Sequence, residues 1–583
     1  MNKYTAEKHT QIIISLLKQY GIKKIVISPG NTNVTFVVSV QNDPFFELYS
    51  CVDERSAAYM ACGLASKSDE AVVLSCTGAT ASRNYFPGLT EAYYRKLPIL
   101  ALTSTQYEYR AGNNIAQVID RSSIPKDAIK YSVSVGVIHN QEEEELTIKN
   151  INYAIQELFR SGGGPVHINL TTTYNRDFSV SVLPNVKKIN RYNINSDLPS
   201  IPNGQVVIWC GEHKHFTKSL TDAIDSFCKK YNSAVFCDMT SDYQGKYRFD
   251  ASLLCSQDNL KTDLLRPNLV IHIGNIAGHE IRLDMDKVWR VNQDGEFTDT
   301  FLKLDAVFQM NEEDFFEAYS KKETSENKDE AGTESYYNEL ESLDQKIRNM
   351  MPEVPFSNIW IAQNSIRHVP DKCNIYFSIL NTLRSWNYCK LPVGVSGFSN
   401  TGGFGIDGGI STALGISLAD PEHITWAIAG DLQFFYDMNA LGNRHVPANF
   451  RVMVINNGVG TEFKNYNHFA ASTGEDTDKY IAARGHFGCK STELIKHYAE
   501  DLGFIYLCAD NKKDFLNKVD NFFNNNLQNG PILFEIFTDS VDESNALMEM
   551  RNIVKSYKSE GKKMIKSIIG EKNLNNMKKI LKK

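Results

Sequence analysis

Short runs with strand character recur along the chain, and most end on Gly, Ser, Asp or Asn. In the first third they are Lys24–Ile27, Glu47–Cys51, Val72–Ser75, Ile99–Thr103 and Val166–Leu170. In the middle they are Gln205–Trp209, Val235–Cys237, Leu269–Ile273 and Trp289–Val291. In the last third they are Cys373–Phe377, Thr425–Ala429, Arg451–Ile455 and Pro531–Phe537. Many are apolar throughout, as expected of strands buried on both faces. Between them lie stretches with helical character, Tyr4–Tyr20, Glu54–Ser66 and Ser82–Tyr94. This alternation predicts α/β architecture with parallel sheets covered by helices on both faces.

The stretch from Trp426 to Phe463 carries the chemistry. One apolar run ends at Gly430-Asp431, a helix-like segment follows, and a second run ends at Asn456-Asn457. In a parallel sheet both turns fall at the carboxyl ends of strands, where ligands bind. Asp431 offers a carboxylate, Asn457 an amide oxygen, and the backbone near Val459 a carbonyl. Few, hard oxygen donors of this kind suit Mg²⁺ that is also held by a phosphate. Taken alone, Gly-Asp is a strand-to-helix turn with Asp as a helix cap. The spacing of the two turns is what makes the pair informative.

Composition narrows the class. The 583 residues suit two to four domains, and 42% hydrophobic with 22% charged residues describes an ordinary globular chain with ample core. A net charge of −7 gives no reason to expect nucleic acid as a partner. There is no apolar run long enough to span a membrane and no apolar signal core at the N-terminus, so the expected location is the cytoplasm. The 11 cysteines form no CxxC pair, and many sit in apolar runs, which argues for buried free thiols. Lys321–Ser335 is polar and reads as an exposed linker. From Lys555 to Lys583 the chain carries ten lysines and two glutamates. That tail reads as a solvated end, with a basic amphipathic helix that meets a membrane or partner as the alternative.

The paired turns resemble the diphosphate-binding motif of thiamine diphosphate (ThDP) enzymes, GDx…NN, and other tracts agree in register. CVDERSAAYMACGLA resembles the family's strand-Glu-helix, TGATASRNYFPGLTEAYYRKLPILALTS its Gly-rich turn and Asn, AGNNIAQVIDR its Gly…Gln segment, and GFSNTGGFGIDGG its close-approach loop. The resemblance implies three doubly wound parallel-sheet domains: a pyrimidine-binding domain at 1–185, a Rossmann-like middle domain at 195–320, a linker at 321–354 and a diphosphate-binding domain at 355–552. It implies ThDP and Mg²⁺ as cofactors, with Asp431, Asn457 and Val459 at the metal. Glu54, Asn84, Gly405, Ile406, Gly430, Leu432, Asp431 and Asn457 would hold the cofactor. Glu54 would donate its proton to N1′ of the aminopyrimidine, and Ile406 would support the bent cofactor. Gln117 and Asn113 would lie near the reacting carbon, although a surface-loop amide is an equal reading of Gln117. In this family the glutamate and the Gly-Asp carboxylate act on one cofactor from different subunits, so a homodimer or tetramer is implied. The middle domain has no GxGxxG after a strand and is expected to be structural.

Within the family the motifs are most similar to the synthase of the menaquinone pathway. That branch has arginines where this chain has Thr32, in SPGNT, and Thr401, in NTGGF; a third arginine is kept as Arg384. Thr does not replace bidentate Arg binding of a carboxylate. Thr32, Thr401, Asn113 and Arg384 are therefore candidate substrate contacts, and Arg384 is equally well read as part of a salt bridge. Glu462, just after the Asn-Asn turn, is a candidate proton donor. The resulting expectation is an enzyme that decarboxylates a small 2-oxo acid and transfers the acyl unit to a carbonyl or enone acceptor, but is not that synthase. A simple 2-oxo acid decarboxylase and an acetolactate-synthase-like enzyme are the alternatives.

Overall fold

The computed structural model describes residues 3–121, 123–213, 215–278, 281–322, 335–485, 491–525, 527 and 530–555. Two compact units are formed. The first runs to Leu198 and takes in Val288–Arg290 and Asp294–Gln309; the second holds Pro199–Lys287, Val291–Gln293 and the chain from Met310 onward.

The N-terminal sheet contains β1 (Lys24–Ile27), β2 (Glu47–Ser50), β3 (Val72–Cys76), β4 (Ile99–Thr105), β5 (Tyr131–Val135) and β6 (Val166–Thr171). Its order is β2-β1-β3-β4-β6-β5, and every pairing is parallel. Successive residues feed two cores. Val73, Leu100 and Leu102 face one, packed with Ile13, Leu17 and Ile155, while Val72, Leu74 and Ala101 face the other, with Ala58 and Leu89. Both faces are thus covered, which is why these strands read as unbroken apolar runs.

The middle sheet is built from β7 (Asn190–Asn193), β8 (Val206–Cys210), β9 (Ala234–Cys237), β10 (Arg248–Asp250), β11 (Leu269–Ile273), β12 (Lys287–Asn292) and β13 (Leu304–Gln309), in the order β10-β9-β8-β11-β12-β13-β7. The C-terminal sheet contains β14 (Asn374–Phe377), β15 (Ser396–Phe398), β16 (Thr425–Gly430), β17 (Phe450–Asn456), β18 (Ile505–Ala509) and β19 (Ile532–Phe537). Its order is β15-β14-β16-β17-β19-β18, again all parallel. Counted from its own first strand, this is the same order as the N-terminal sheet. In each, the connections reverse direction between the first and third strands, and the crevice at that reversal is where such sheets bind ligands.

Three local expectations change. The first helix spans Lys8–Gln19, not Tyr4–Tyr20; Tyr4 instead forms an antiparallel bridge with Val180, and its hydroxyl donates to Asp43 at 2.6 Å. The helix expected over Ser82–Tyr94 is two, Thr80–Asn84 and Phe86–Arg95, with the buried Tyr85 between them. Pro87 lies in the first turn of the second, where its missing N–H costs nothing. Among the described cysteines, Cys51 and Cys508 are only partly buried. The polar segment expected as a linker falls almost wholly outside the described residues, since one helix ends at Lys321 and the next begins at Ser335. The basic tail lies outside them beyond Lys555. No described helix is long and apolar enough to cross a membrane.

Helix Glu54–Ser68 lies against helix Phe86–Arg95 through small residues, Ala58 meeting Gly88. A Cβ on Gly88 would stand 2.5 Å from the Ala58 Cβ and 2.9 Å from its backbone carbon. Gly88→Ala is expected to destabilise the N-terminal domain by about 1–3 kcal/mol through overpacking, despite the better helix propensity of Ala. Thermal unfolding would refute this contact if the variant melted within the error of the parent.

Candidate active site

The C-terminal crevice opens between β14 and β16. β16 ends at Gly430, and Asp431 starts the helix Asp431–Asp437. β17 ends at Asn456, followed by Asn457 and then Gly458, whose φ of 71° makes the turn. The Asp431 carboxylate is buried, 3% exposed, and its Oδ2 accepts the Gly458 N–H at 2.9 Å. Asn457 Oδ1 faces the Val459 N–H at 3.4 Å. The two turns foreseen from the sequence are therefore tied together directly. Across the crevice, Ser378 at the end of β14 donates to Gln433 Oε1.

The crevice has a volume of about 110 Å³ and is lined by Ile406, Gly430, Asp431, Leu432, Asn457, Val459 and Glu462, among others. The residues suit a metal-bound diphosphate. Asp431, Asn457 and the Val459 carbonyl are hard oxygens of the kind that would hold Mg²⁺. Gln433 Nε2 lines the same crevice as a buried donor with no acceptor, and the first turn of the helix after β16 adds unsatisfied backbone N–H groups. Among the described residues no cluster of three or more His, Cys, Asp or Glu could hold a metal ion.

Arg384 and Glu462 face each other in a bidentate pair, Nη1 to Oε2 at 2.7 Å and Nη2 to Oε1 at 2.9 Å. Each side chain is 19% exposed. The pair raises the Arg384 pKa against the opposing effect of burial. Of the two readings of Arg384, this geometry is the salt bridge, and it engages the Glu462 carboxylate as well. Thr401 is buried, its N–H donating to the Ser399 carbonyl at 2.9 Å. Gly405 and Ile406 follow in the glycine-rich loop, with Ile406 on the crevice wall.

In the N-terminal domain, Asp53 takes the capping role, its Oδ1 accepting the Ser56 N–H at 2.8 Å. Glu54, the first helical residue, is half-buried and has no side-chain hydrogen bond or ion pair among the described residues. The helix cap is thus Asp53, and the Glu54 carboxylate is not spent on it. Asn84 ends its short helix exposed. The Asn113 amide donates to the carbonyls of Tyr109, Arg110 and Ala111 and closes its own turn. Gln117 is exposed and holds a φ of 66°. Thr32 is buried: its hydroxyl donates to the Ser104 carbonyl at 2.7 Å and lies 2.5 Å from that of Thr77. It braces the turn after β1 against the turn after β3.

Two buried carboxyls beside the C-terminal crevice were not singled out from sequence. Glu535, on β19, accepts from Asn456 Nδ2 at 2.7 Å and from the Tyr506 hydroxyl at 2.8 Å; burial raises its pKa, and the Asp431 charge adds to this. Glu543 accepts from the Asn358 N–H and the Thr538 hydroxyl, both at 2.9 Å, and from Asn381 Nδ2 at 3.3 Å. Burial lifts it to about 7 against those hydrogen bonds. Both sit in otherwise ordinary strand and helix patterns, so only the assembled fold exposes them.

Comparison with known proteins defines the class. Residues 7–124 match the profile described as thiamine pyrophosphate enzyme, N-terminal TPP binding domain, and residues 386–536 match the corresponding C-terminal TPP binding domain. The chain is a ThDP-dependent enzyme. It is 26% identical over 576 residues to the 2-succinyl-5-enolpyruvyl-6-hydroxy-3-cyclohexene-1-carboxylate synthase of Phocaeicola vulgatus, covering 94% of this chain and 98% of that protein. To the synthase of the same name from Bacteroides fragilis it is 27% identical over 575 residues, 95% and 100% of the two chains. To that of Flavobacterium johnsoniae it is 25% identical over 560 residues, 91% and 96%. These findings overturn the expectation, drawn from Thr32 and Thr401, that the chain is not this kind of synthase, together with the alternatives attached to it. Two neutral side chains, both turned inward, weigh less than similarity running through the whole chain.

The Glu543 carboxyl makes stability depend on pH. Below about 4.5 both the folded and the unfolded chain hold its proton; between 4.5 and about 7 only the folded chain does. Unfolding then releases a proton, so stability falls as pH rises through this window and levels off above it, by about 3 kcal/mol from this group. Glu543→Gln is expected to remove that component, so its melting temperature drops less than the parent's between pH 5 and pH 8. Identical pH profiles would dismiss the assignment.

Proposed function

We propose that the protein is a 2-succinyl-5-enolpyruvyl-6-hydroxy-3-cyclohexene-1-carboxylate synthase. The observation that carries this reading is nearly full-length similarity to proteins of that name, in a chain that has Glu54, Asp431 and Asn457 at the motif positions.

The product's name sets the chemistry. A succinyl group joined through its carbonyl carbon is what 2-oxoglutarate delivers after losing CO₂. The joined ring carbon is adjacent to the one bearing the carboxylate, and one ring double bond remains. The acceptor is thus a 5-enolpyruvyl-6-hydroxycyclohexa-1,3-diene-1-carboxylate, attacked at the carbon β to its carboxylate. ThDP, when bound, takes up the electron pair left as CO₂ departs. Asp431, Asn457 and the Val459 carbonyl would hold Mg²⁺ and through it the diphosphate. Gly430, Leu432 and Gly405 would let backbone approach the cofactor, Ile406 would support it from beneath, and Asn84 would contact it from the N-terminal domain. Glu54 holds a proton at the aminopyrimidine N1′. Gln117 orients the reacting groups. The Arg384–Glu462 pair keeps two charges fixed in the crevice, where Arg384 meets a substrate carboxylate and Glu462 holds it in place. We further propose the pyrimidine-binding, middle and diphosphate-binding division at the bounds given above, a structural middle domain, and a homodimer or tetramer.

With 2-oxoglutarate, the cyclohexadiene acceptor, ThDP and Mg²⁺, the expected outcome is CO₂ release matched by the succinylated product in mass spectrometry. Glu54→Gln is expected to lower turnover by about 10²–10⁴-fold with ThDP still bound by calorimetry, and Asp431→Ala to lose Mg²⁺-dependent ThDP binding. Turnover of 2-oxoglutarate without acceptor addition would reject the reading.

A further inference from the structure

Arg121 is the most unusual charge in the N-terminal domain. It is 6% exposed, and Nε, Nη1 and Nη2 all lack a hydrogen-bond acceptor. A guanidinium does not give up its proton in proteins, and buried charges are as a rule paired. Its surroundings do not neutralise it. The carboxylate whose field reaches it, Glu108, is engaged by Asn169 Nδ2 at 2.6 Å and by the Ser134 hydroxyl. Arg83 adds a second positive charge and donates to the Asp120 carbonyl at 2.8 Å. The Cys76 thiol is pushed up to about 12 by burial, and His167 is driven to about 3 by burial and by Arg121 itself, its ring nitrogens engaged with Thr103 and Ser132. Both are neutral at physiological pH.

The position of this cation is as informative as its isolation. A Cβ on Gly78 would lie 3.3 Å from Arg121 Nη1, 3.0 Å from the Gln117 carbonyl and 3.3 Å from the Ser104 carbonyl. Gly78 follows β3 at its carboxyl end, beside the reversal between β1 and β3 where such sheets take ligands. The missing side chain lets the guanidinium lie against that turn. It lies over a slot lined by Ser82, Tyr85, Phe86, Thr103 and His167. The neighbouring Thr32, spent on Ser104 and Thr77, offers no charge there.

We propose that Arg121 is a substrate-binding residue that holds a carboxylate at the carboxyl end of β3, between the Gly78 turn and Gln117. This rests on the proposed function in one respect: the ligand is a carboxylic acid, and the product named above bears three carboxylates. An unpaired buried guanidinium is costly to the empty protein and is relieved when a carboxylate accepts two of its N–H groups.

The test uses the ThDP- and Mg²⁺-loaded protein and succinate, a dicarboxylate that cannot be decarboxylated by this chemistry. Calorimetry with succinate, and with chloride as control, is run on the parent, Arg121→Gln and Arg121→Lys. The expected result is about 10- to 100-fold weaker succinate binding in Arg121→Gln, partly recovered in Arg121→Lys, with ThDP affinity unchanged. Without succinate, Arg121→Gln should melt at or above the parent temperature, because it removes an unpaired buried charge. Equal succinate affinity in all three proteins, no succinate binding by the parent beyond chloride, or destabilisation of Arg121→Gln with unchanged affinity would each overturn the proposal. Product formation by the parent is scored separately. If it fails while succinate binding depends on Arg121, the synthase reading falls and this one stands; if it succeeds with an unchanged KM in Arg121→Gln, the reverse holds.

Discussion

The bond from the Gly458 N–H to the Asp431 carboxylate is the constraint on which the C-terminal site depends. It joins the ends of two adjacent parallel strands, β16 and β17, through a buried carboxylate and a half-buried turn. A carboxylate that accepts a backbone N–H is oriented without being neutralised. The same bond orders the Asn457-Gly458-Val459 turn, which carries the Asn457 amide oxygen and the Val459 carbonyl. The register Gly430 opposite Ile455 puts the two strand ends level.

Around that constraint the chain uses one topology twice. The N- and C-terminal sheets share the same strand order, and each places its chemistry at the reversal between its first and third strands. At one reversal stand Thr32, Thr77, Gly78 and Arg121; at the other stand Ser378, Asp431 and Gln433. Parallel strands buried on both faces can carry few polar side chains, so function is confined to the residues just past each strand. Ser28, Gly78, Ser378, Asp431 and Asn457 all occupy such positions.

That confinement explains what could be read from the sequence. Strands such as β16 and β17 were legible because dry strands are apolar throughout, and their functional turns were legible because Gly, Asp and Asn interrupt the apolar runs. β5 and β18 were not, since both are partly exposed edge strands with mixed composition. The break at Tyr85 was hidden because Pro87 falls where a helix tolerates proline. Within the candidate site, Glu54, Asp431 and Ile406 were singled out through motif register. The Arg384–Glu462 pair was not, because 78 residues separate its members and pairing is a property of the fold. Arg121 carried no signal at all: an arginine in a polar loop reads as surface until the structure shows it buried.

Arg121 and the half-buried Arg384 answer the cost of withdrawing a guanidinium from water in opposite ways. Arg384 has its counter-charge built in, so it is stable in the empty protein, but any incoming carboxylate must compete with Glu462 for the same N–H groups. Arg121 has none, and its binding capacity is undiminished, at the expense of folding stability. A pair of this sort fits an enzyme that must hold several carboxylates without collapsing onto its own acids. The paired cation is held in a fixed geometry, whereas the unpaired one keeps its N–H groups unengaged. Residues kept for binding are often those that the folded chain would be more stable without. Arg121 is the clearest case among the described residues, and it lies at the strand ends where the topology already directs ligands.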